Sequence, residues 1–245
     1  MKYCEHVNDM INNTNVQSCN VKSKIEEVEC IKTITEHIYS VFSLLLLKDK
    51  RLTSCSYDNA IRIFDPSNDY HCNQVIYYNS EGILSICELE DGTIVSCSQD
   101  KSRIIGDYTI HNAHDNGISK VIALPNNRIA SCSWDNTIKI WKSNPPYCDT
   151  PLIVLKGHSH WVNSILYLKE KDIMISGSND NALRLWNMST YQCITVIEGV
   201  ECYWTNSLYQ IKKIELLLVD MINLYSEHKS MCIREDCRKS IIKTS

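Results

Sequence analysis

Glycine, proline and phenylalanine are scarce in this sequence of 245 residues, with seven, five and two copies respectively. The sequence also lacks a long apolar run. The longest run, Ile38 to Leu47, spans ten residues and contains Tyr39, Ser40 and Ser43, whereas a membrane-spanning helix needs roughly 20 apolar residues. We therefore predict a buried strand here and no membrane partner.

An excess of basic residues is absent as well. Lys and Arg number 25 against 29 Asp and Glu, which gives a net charge of −4. The chain has no positive surface of the kind that nucleic acid or anionic lipid selects. Its first residues are polar and acidic where a secretory signal would have an apolar core. We expect an intracellular, cytoplasmic protein with no nucleic-acid partner.

One short pattern occurs four times. A Ser-x-Ser strand followed by Asp lies at residues 54–58, 96–100, 131–135 and 176–180. Most copies continue into a polar turn such as Asp-Asn, which tolerates positive φ, and then into an alternating strand such as residues 138–141. The turn aspartates recur every 35 to 45 residues. Periods near 40 with four strands per unit predict propeller blades.

These units resemble the WD40 repeat family over roughly residues 29 to 205. In that family a corner His, a strand Ser, a turn Asp and a Trp from the next strand form a buried, hydrogen-bonded tetrad within one blade, which supplies donors to a carboxylate that must be satisfied. The resemblance implies this structural tetrad in three units, the first without its Trp: His37, Ser54 and Asp58; His114, Ser131, Asp135 and Trp141; His158, Ser176, Asp180 and Trp186.

Two units depart from the family pattern. The first has Phe64 in place of Trp, which keeps the bulk but removes the indole donor. The second has Asn79 in place of His and Gly106 in place of Trp, and Arg103 interrupts its alternation. We therefore expect Asp100 to have fewer hydrogen-bond partners and the second blade to be the least stable of the four.

The fold class predicted is an all-β, WD40-type β-propeller that is incomplete, with four clear four-stranded blades and a degenerate fifth. We divide the chain into a polar N-terminal arm over residues 1–27, the repeat array over 28–205, and a degenerate or frameshifted segment over 206–245. An open propeller leaves strand edges unpaired, so we expect association with another chain, which includes self-association, or marginal stability.

The C-terminal segment has three interpretations. Ile211, Ile214, Leu218, Met221 and Tyr225 follow helical spacing, and we favour this helix over a short buried strand at Ile214 to Val219. Alternatively, A/T-rich codons over Ile214 to Leu224 would encode, in the neighbouring frame, a blade strand with its turn Asp that parallels residues 127–138. The gene sequence would test that frameshift.

The recurring Ser, His and Asp are the residue types of a hydrolytic triad. Because a nucleophile is needed once and this set recurs at one period, we interpret it as a structural strut and predict no enzyme. A propeller enzyme would place unit-specific carboxylates or histidines around the channel, and we find none. Thirteen cysteines are present, but only Cys232 and Cys237 approach metal-ligand spacing and they lack a second pair, so we predict neither metal nor cofactor.

Residues outside the tetrad are the candidates for partner binding. The position before each turn aspartate holds Tyr57, Gln99, Trp134 or Asn179, and the resemblance places it on the top face, where partners of the family dock. Trp and Tyr dominate interface energetics, although these side chains could instead lie across a neighbouring loop. Trp161 is a lesser candidate that we expect to pack between blades.

The function predicted is a non-catalytic scaffold or adaptor that binds protein or peptide partners. The alternative is a substrate-recognition subunit of a larger assembly, of the ubiquitin-ligase or trafficking type.

Overall fold

The computed structural model describes residues 30, 32–77, 79–146, 149–199, 207–211 and 215–219, the last two segments by their backbone. The predicted N-terminal arm and the Cys232 and Cys237 pair lie outside these residues. The chain divides into two compact units, Met1–Ile34 and Thr35–Ser245. In the first unit the described residues are exposed and form no strand. The elements below belong to the second unit.

Four sheets follow one another along the second unit, each built from four consecutive antiparallel strands. Sheet 1 contains β1 (Val41–Leu46), β2 (Leu52–Ser56), β3 (Ile61–Asp65) and β4 (His71–Ile76). Sheet 2 contains β5 (Ile83–Glu88), β6 (Ile94–Ser98), β7 (Arg103–Ile105) and β8 (Tyr108–Ile110). Sheet 3 contains β9 (Ile118–Leu124), β10 (Arg128–Ser133), β11 (Ile138–Lys142) and β12 (Ile153–Leu155). Sheet 4 contains β13 (Val162–Leu168), β14 (Ile173–Ser178), β15 (Ala182–Asn187) and β16 (Cys193–Glu198).

This topology confirms the predicted all-β fold with four four-stranded blades. Two short 3-10 helices, Pro66–Asn68 and Lys169–Lys171, are the helical segments among the described residues, and no helix there is long and apolar enough to cross a membrane.

The turn between the second and third strands has the same conformation in all four sheets. The residue after the turn aspartate has a positive φ, and these residues are Asn59, Lys101, Asn136 and Asn181, with φ of 63°, 67°, 69° and 59°. Asn accepts this left-handed conformation more readily than most residues. The Asp-Asn pairs therefore form the tight turns that the sequence predicts.

The core lies between consecutive sheets. Ile83 of β5 packs against Cys55 and Ile61 of sheet 1, and Val162 of β13 packs against Cys132 and Ile138 of sheet 3. The first strands of sheets 2 and 4 therefore present apolar side chains to the sheet before them in the chain.

The first strand of sheet 1 differs from the prediction. The apolar run Ile38 to Leu47 does contain a strand, β1, but the expectation that this strand is buried is wrong because Val41, Leu44 and Leu46 are exposed. The sequence shows the apolar run without showing whether another sheet covers it.

The C-terminal segment also differs from the prediction. Two strands that pair antiparallel, β17 (Ser207–Ile211) and β18 (Glu215–Val219), lie in its first part, with Ile211 opposite Glu215. The helix that we favoured is wrong at these residues, and the competing strand interpretation agrees with β18. A short apolar run has spacings compatible with either element. A four-stranded fifth blade is not shown by the described residues, and the frameshift stays a prediction.

Candidate functional site

Sheet 3 brings a histidine, an aspartate, a serine and a tryptophan into one hydrogen-bonded chain. The loop before β9 carries His114, whose Nδ1 lies 2.7 Å from Oδ2 of Asp135 in the turn after β10. The Nε2 atom of His114 lies 2.8 Å from Oγ of Ser131 on β10. Ser131 Oγ also accepts a 2.8 Å hydrogen bond from Nε1 of Trp141 on β11. Antiparallel pairing of β10 with β11 places Ser131 and Trp141 on neighbouring strands.

The direction of these hydrogen bonds follows from the groups themselves. An indole N–H can only donate, so the hydroxyl of Ser131 accepts from Trp141 and is free to donate to His114 Nε2. The proton of a neutral imidazole then lies on Nδ1, which donates to the ionised Asp135. Burial lowers the pKa of His114 more than its contact with Asp135 raises it, which agrees with a neutral ring.

Sheets 4 and 1 repeat this geometry. His158 lies 2.8 Å from Asp180 Oδ2 and 2.7 Å from Ser176 Oγ, and Trp186 donates to Ser176 at 2.9 Å. His37 of sheet 1 lies 2.8 Å from Asp58 Oδ2 and 2.6 Å from Ser54 Oγ. Phe64 is buried at the position of the tryptophan, so the hydroxyl of Ser54 has no indole donor.

In sheet 2 the turn aspartate, Asp100, accepts its hydrogen bonds from serines and not from a histidine. Asn79 donates to Ser102 Oγ at 2.8 Å and accepts from Ser96 at 3.2 Å. Ser80 N and Ser80 Oγ donate to Asp100 Oδ2 at 2.8 and 3.0 Å, while Ser102 N and Ser102 Oγ donate to Asp100 Oδ1. The expectation that Asp100 has fewer partners is therefore wrong, because two serine hydroxyls replace the imidazole.

The second serine of each Ser-x-Ser pair has a role that the sequence reasoning missed. Its hydroxyl accepts from the backbone N–H of the turn aspartate, as Ser133 does from Asp135 at 3.0 Å. In sheet 3 the same hydroxyl donates to the carbonyl of Gly117 at 2.9 Å. The corresponding serines are Ser56, Ser98 and Ser178. Their fourfold recurrence in the sequence was the available signal.

The arrangement of His, Asp and Ser does not form a hydrolytic site. Ser131 and Ser176 are fully buried and Ser54 is nearly so, so a substrate cannot reach their hydroxyls. Burial alone would raise the pKa of Asp135, but the hydrogen bond and charge of His114 and the donors of Thr137 and Asp115 hold that pKa below its ordinary value. The complete tetrads of sheets 3 and 4 therefore connect the corner, the turn and two strands of each of these sheets by hydrogen bonds.

Metal-ligating groups do not converge in the described part of the chain, where no cluster of three or more His, Cys, Asp or Glu side chains could hold an ion. The described cysteines are free thiols. Burial raises the pKa of Cys55, Cys87 and Cys132 to about 12. These thiols stay protonated at neutral pH and pack as small apolar side chains.

The four residues before the turn aspartates are all incompletely buried. Each one hydrogen-bonds through its backbone N–H to the residue that precedes the first strand of its own sheet. The four bonds run from Tyr57 to Ser40, from Gln99 to Gly82, from Trp134 to Gly117 and from Asn179 to Trp161, with lengths of 2.9 to 3.1 Å. We call Tyr57, Gln99, Trp134, Asn179 and Trp161 the pre-turn row.

Trp134 and Trp161 form an aromatic pair within this row. Their ring centroids lie 5.4 Å apart with 31° between the planes, and both side chains are only partly buried. Trp161 stands where sheets 2 and 3 have Gly82 and Gly117. The expectation that Trp161 packs between sheets agrees with this contact, and the contact also places Trp134 against a neighbouring loop.

Tyr57 belongs to a second aromatic group in the same row. Its ring lies 6.4 Å from that of Tyr39 and 6.2 Å from that of Phe42. A Cβ atom on Gly82 would lie 2.4 Å from Cδ2 of Tyr57, so the ring occupies the space that glycine leaves at the start of sheet 2. Gln99 and Asn179 contribute amide side chains to the row.

Arg103 is the unexpected residue of sheet 2. It pairs with Cys97 as Ile138 pairs with Cys132 in sheet 3, so it occupies an apolar position and is fully buried. Its guanidinium carbon lies 4.4 Å from the ring centre of Trp141. Burial lowers the pKa of Arg103 to about 10. Arg103 therefore interrupts the alternation at a position where its side chain contacts Trp141, the tetrad tryptophan of the next sheet.

Comparison with known families gives one matching family, described as WD domain, G-beta repeat, at residues 28–65, 107–142 and 149–187. These stretches include the tetrads of sheets 1, 3 and 4. Asn79, Gly106 and the first three strands of sheet 2 lie between the first and second match, and its last strand, β8, lies within the second.

Several curated proteins are similar in sequence. The ribosome biogenesis protein WDR12 homolog of Nematostella vectensis is 28% identical over 181 residues, which cover 68% of this chain and 42% of the relative. The nuclear distribution protein nudF of Aspergillus niger is 38% identical over 81 residues, which cover 33% of this chain and 18% of the relative. The nuclear distribution protein PAC1 of Yarrowia lipolytica is 22% identical over 211 residues, which cover 60% of this chain and 47% of the relative. The chain spans less than half the length of these relatives.

Proposed function

This chain carries WD40 repeats, and we propose that it is a non-catalytic interaction scaffold that binds a protein or peptide partner along the pre-turn row. The observation that carries the proposal is the contact between the rings of Trp134 and Trp161, which are tilted by 31°. Neither residue takes part in the tetrads that hold the sheets together. Partly exposed aromatic rings that already contact each other lose little conformational freedom on binding and provide large contact areas.

The relatives support the general role and not a particular one. Their names place one in ribosome biogenesis and others in nuclear distribution, so the shared property is the repeat scaffold. We transfer only that property to this chain. Recognition of a substrate within a larger assembly would use the same row.

The partner class follows from charge and surface. The net charge of −4 does not favour nucleic acid or anionic lipid. The tryptophan pair and the neighbouring amides of Gln99 and Asn179 combine aromatic contact area with hydrogen-bonding groups, which suits a polypeptide. The free thiols of the described residues are typical of the reducing interior of the cell, which supports an intracellular location as part of this proposal.

Selection of displayed peptides against the full chain tests this function. Peptides enriched on the wild-type chain should be lost from chains with Trp134→Ala or Trp161→Ala. They should be retained by Tyr108→Ala, which removes an exposed aromatic from the outermost strand of sheet 2. Peptides that bind all three variants equally well would reject the pre-turn row as the binding surface.

A further inference from the structure

Two carboxylates beside the pre-turn row form no ion pair within the described residues. Glu81 and Asp115 are exposed, and neither belongs to any of the ion pairs found there. Exposed carboxyl groups are ionised at neutral pH. This part of the row therefore presents negative charge to a ligand.

The backbone fixes where these two carboxylates lie. Glu81 precedes Gly82, whose carbonyl accepts the N–H of Gln99 at 3.1 Å. The N–H of Asp115 donates at 3.1 Å to the turn aspartate that directly follows Trp134. Glu81 is thus the neighbour of one pre-turn residue, and Asp115 is the neighbour of the next one along the row.

Gly117 makes this part of the row continuous. A Cβ atom on residue 117 would lie 3.4 Å from Cα of Gln99 and 2.7 Å from Cε3 of Trp134, so residues of sheets 2 and 3 both approach the glycine backbone. The ring of Trp161 contacts that of Trp134 from sheet 4. The two carboxylates and the two indoles therefore belong to one stretch of the surface.

The fold uses the positions of Glu81 and Asp115 through their backbones. In every sheet the N–H of the residue after the corner His or Asn donates to the turn aspartate. The carbonyl of the following residue accepts from the second serine of the Ser-x-Ser pair. The residues at these two positions are Ile38 and Tyr39, Ser80 and Glu81, Asp115 and Asn116, and Ser159 and His160. The repeat therefore does not require a carboxylate at either position.

The cations of the chain do not balance this charge. The corner and turn loops contain the acids Glu81 and Asp100 and the cation Lys101 in sheet 2, and the acids Asp115 and Asp135 in sheet 3. On β11 of sheet 3 the ammonium of Lys139 donates to the carbonyl of Ala113 at 2.9 Å. Acids thus exceed cations in the loops on the sheet 2 and sheet 3 side of the tryptophan pair.

We propose that the partner peptide presents an arginine to this surface, with its guanidinium against the rings of Trp134 and Trp161 and its charge towards Asp115 and Glu81. This assignment rests on the proposed function and specifies the ligand of the same site. The face of an indole ring attracts cations, and arginine forms such contacts more often than lysine. A guanidinium is also planar, stays charged and can bind a carboxylate through two parallel hydrogen bonds.

The core of the chain contains the same kind of contact. The guanidinium carbon of Arg103 lies 4.4 Å from the ring centre of Trp141. That arginine has no carboxylate partner, whereas an arginine on the pre-turn row would have both an indole face and a carboxylate. A proline or leucine side chain would contact the indoles equally well but would gain nothing from the carboxylates.

Two displayed peptide libraries, one with all amino acids and one without arginine, test the ligand class on the full chain. Peptides that bind the wild type and are lost from Trp134→Ala should be enriched from the library that contains arginine. Equal enrichment of such peptides from both libraries overturns the arginine assignment and leaves the proposed function standing. If neither library yields a peptide that is lost from Trp134→Ala, the proposed function fails and the arginine assignment fails with it.

Replacement of arginine by citrulline in an enriched peptide tests the charge, because citrulline keeps the shape of the side chain without its charge. Isothermal titration calorimetry at low ionic strength, where surface charges are least screened, should show a dissociation constant at least about fivefold larger for the citrulline peptide. Equal dissociation constants for the two peptides overturn the proposal.

Variants of the chain test the carboxylates. Asp115→Asn and Glu81→Gln should each weaken the arginine peptide by about threefold and leave the citrulline peptide unaffected, with unchanged circular dichroism. Glu90→Gln is the matched control, because Glu90 is an exposed acid between β5 and β6, at the opposite end of sheet 2. Wild-type affinity for the arginine peptide in both Asp115→Asn and Glu81→Gln overturns the proposal, as does equal weakening by Glu90→Gln.

Discussion

The rings of Trp134 and Trp161 lie 5.4 Å apart although the two residues belong to consecutive sheets. Trp161 occupies the position that glycine holds in sheets 2 and 3, and this exchange places an indole against the pre-turn residue of the preceding sheet. The pair is therefore formed by one residue from sheet 3 and one from sheet 4. A ligand that contacts it would contact both sheets 3 and 4.

Gly117→Ala should disturb this pair without unfolding the chain. A Cβ atom on residue 117 would lie 2.7 Å from Cε3 of Trp134, so the ring must move. We expect a changed near-ultraviolet circular dichroism signal from tryptophan and weaker peptide binding, with the same far-ultraviolet spectrum. Gly82→Ala is the control because it displaces Tyr57 instead. An unchanged tryptophan signal in Gly117→Ala would contradict the predicted displacement.

Trp141→Phe should lower the free energy of unfolding by about 1 kcal/mol through the lost hydrogen bond to Ser131. Phe64 shows that the position accepts phenylalanine, since it is buried there in sheet 1. Urea denaturation measures the effect, with Trp186→Phe as the parallel variant because it breaks the equivalent bond to Ser176. Unchanged midpoints in both variants would show that the indole donors do not stabilise the sheets.

The chain should lose stability as the pH falls below about 6.5, the ordinary pKa of histidine. Burial lowers the pKa of His114 and His158 in the folded chain, so on acidification the unfolded chain takes up these protons first. The free energy of unfolding therefore decreases as the pH falls, until the pH is below the histidine pKa values of the folded chain. The lowered pKa of Asp135 adds a second loss below about pH 4, where the unfolded carboxyl protonates.

His114→Asn separates the histidine contribution, because Asn79 fills the same corner in sheet 2. Urea midpoints between pH 7.5 and 5 should fall less steeply in this variant than in the wild type. Equal slopes in the two proteins would assign the pH dependence to other groups.

Arg103→Ile should leave the free energy of unfolding equal to that of the wild type or raise it. The guanidinium is fully buried with no hydrogen-bond partner at any of its three nitrogens, and replacing buried charges with packed apolar groups gains up to about 4 kcal/mol. Loss of the contact with Trp141 offsets about 1 kcal/mol. Thermal denaturation of Arg103→Ile measures the effect. Arg51→Ile is the control, because Arg51 forms an exposed ion pair with Asp49. Destabilisation by Arg103→Ile alone would mean that the contact with Trp141 outweighs the burial of the charge.

The sequence was sufficient for features that depend on repetition. The positions of Ser131 and Asp135 could be predicted because the same residues recur at one period, and the left-handed Asn136 follows from the chemistry of its turn. The corner histidines were found through the family resemblance. In these cases the residues of one repeat predict the structure of another repeat.

Features that depend on differences between units could not be predicted in this way. In the sequence Asn79 indicates a lost partner for Asp100, because the compensating hydroxyl of Ser80 is 20 positions away from Asp100 and reaches it only in the folded sheet. Arg103 reaches a residue of the next sheet, which no local pattern indicates. The exposure of Leu44 depends on the absence of a covering sheet, and an apolar strand has the same sequence whether it is covered or not.

The affinity of a selected peptide for the full chain tests the partner surface most directly. Isothermal titration calorimetry would compare the wild type with Trp134→Ala, Trp161→Ala, the double variant and Tyr108→Ala. Each tryptophan variant should weaken binding by at least about 2 kcal/mol, the usual threshold for an interface hot spot. The double variant should lose less than the sum because the two rings are in contact, and Tyr108→Ala should bind as the wild type does. Wild-type affinity in a folded Trp134→Ala chain would contradict binding at the pre-turn row.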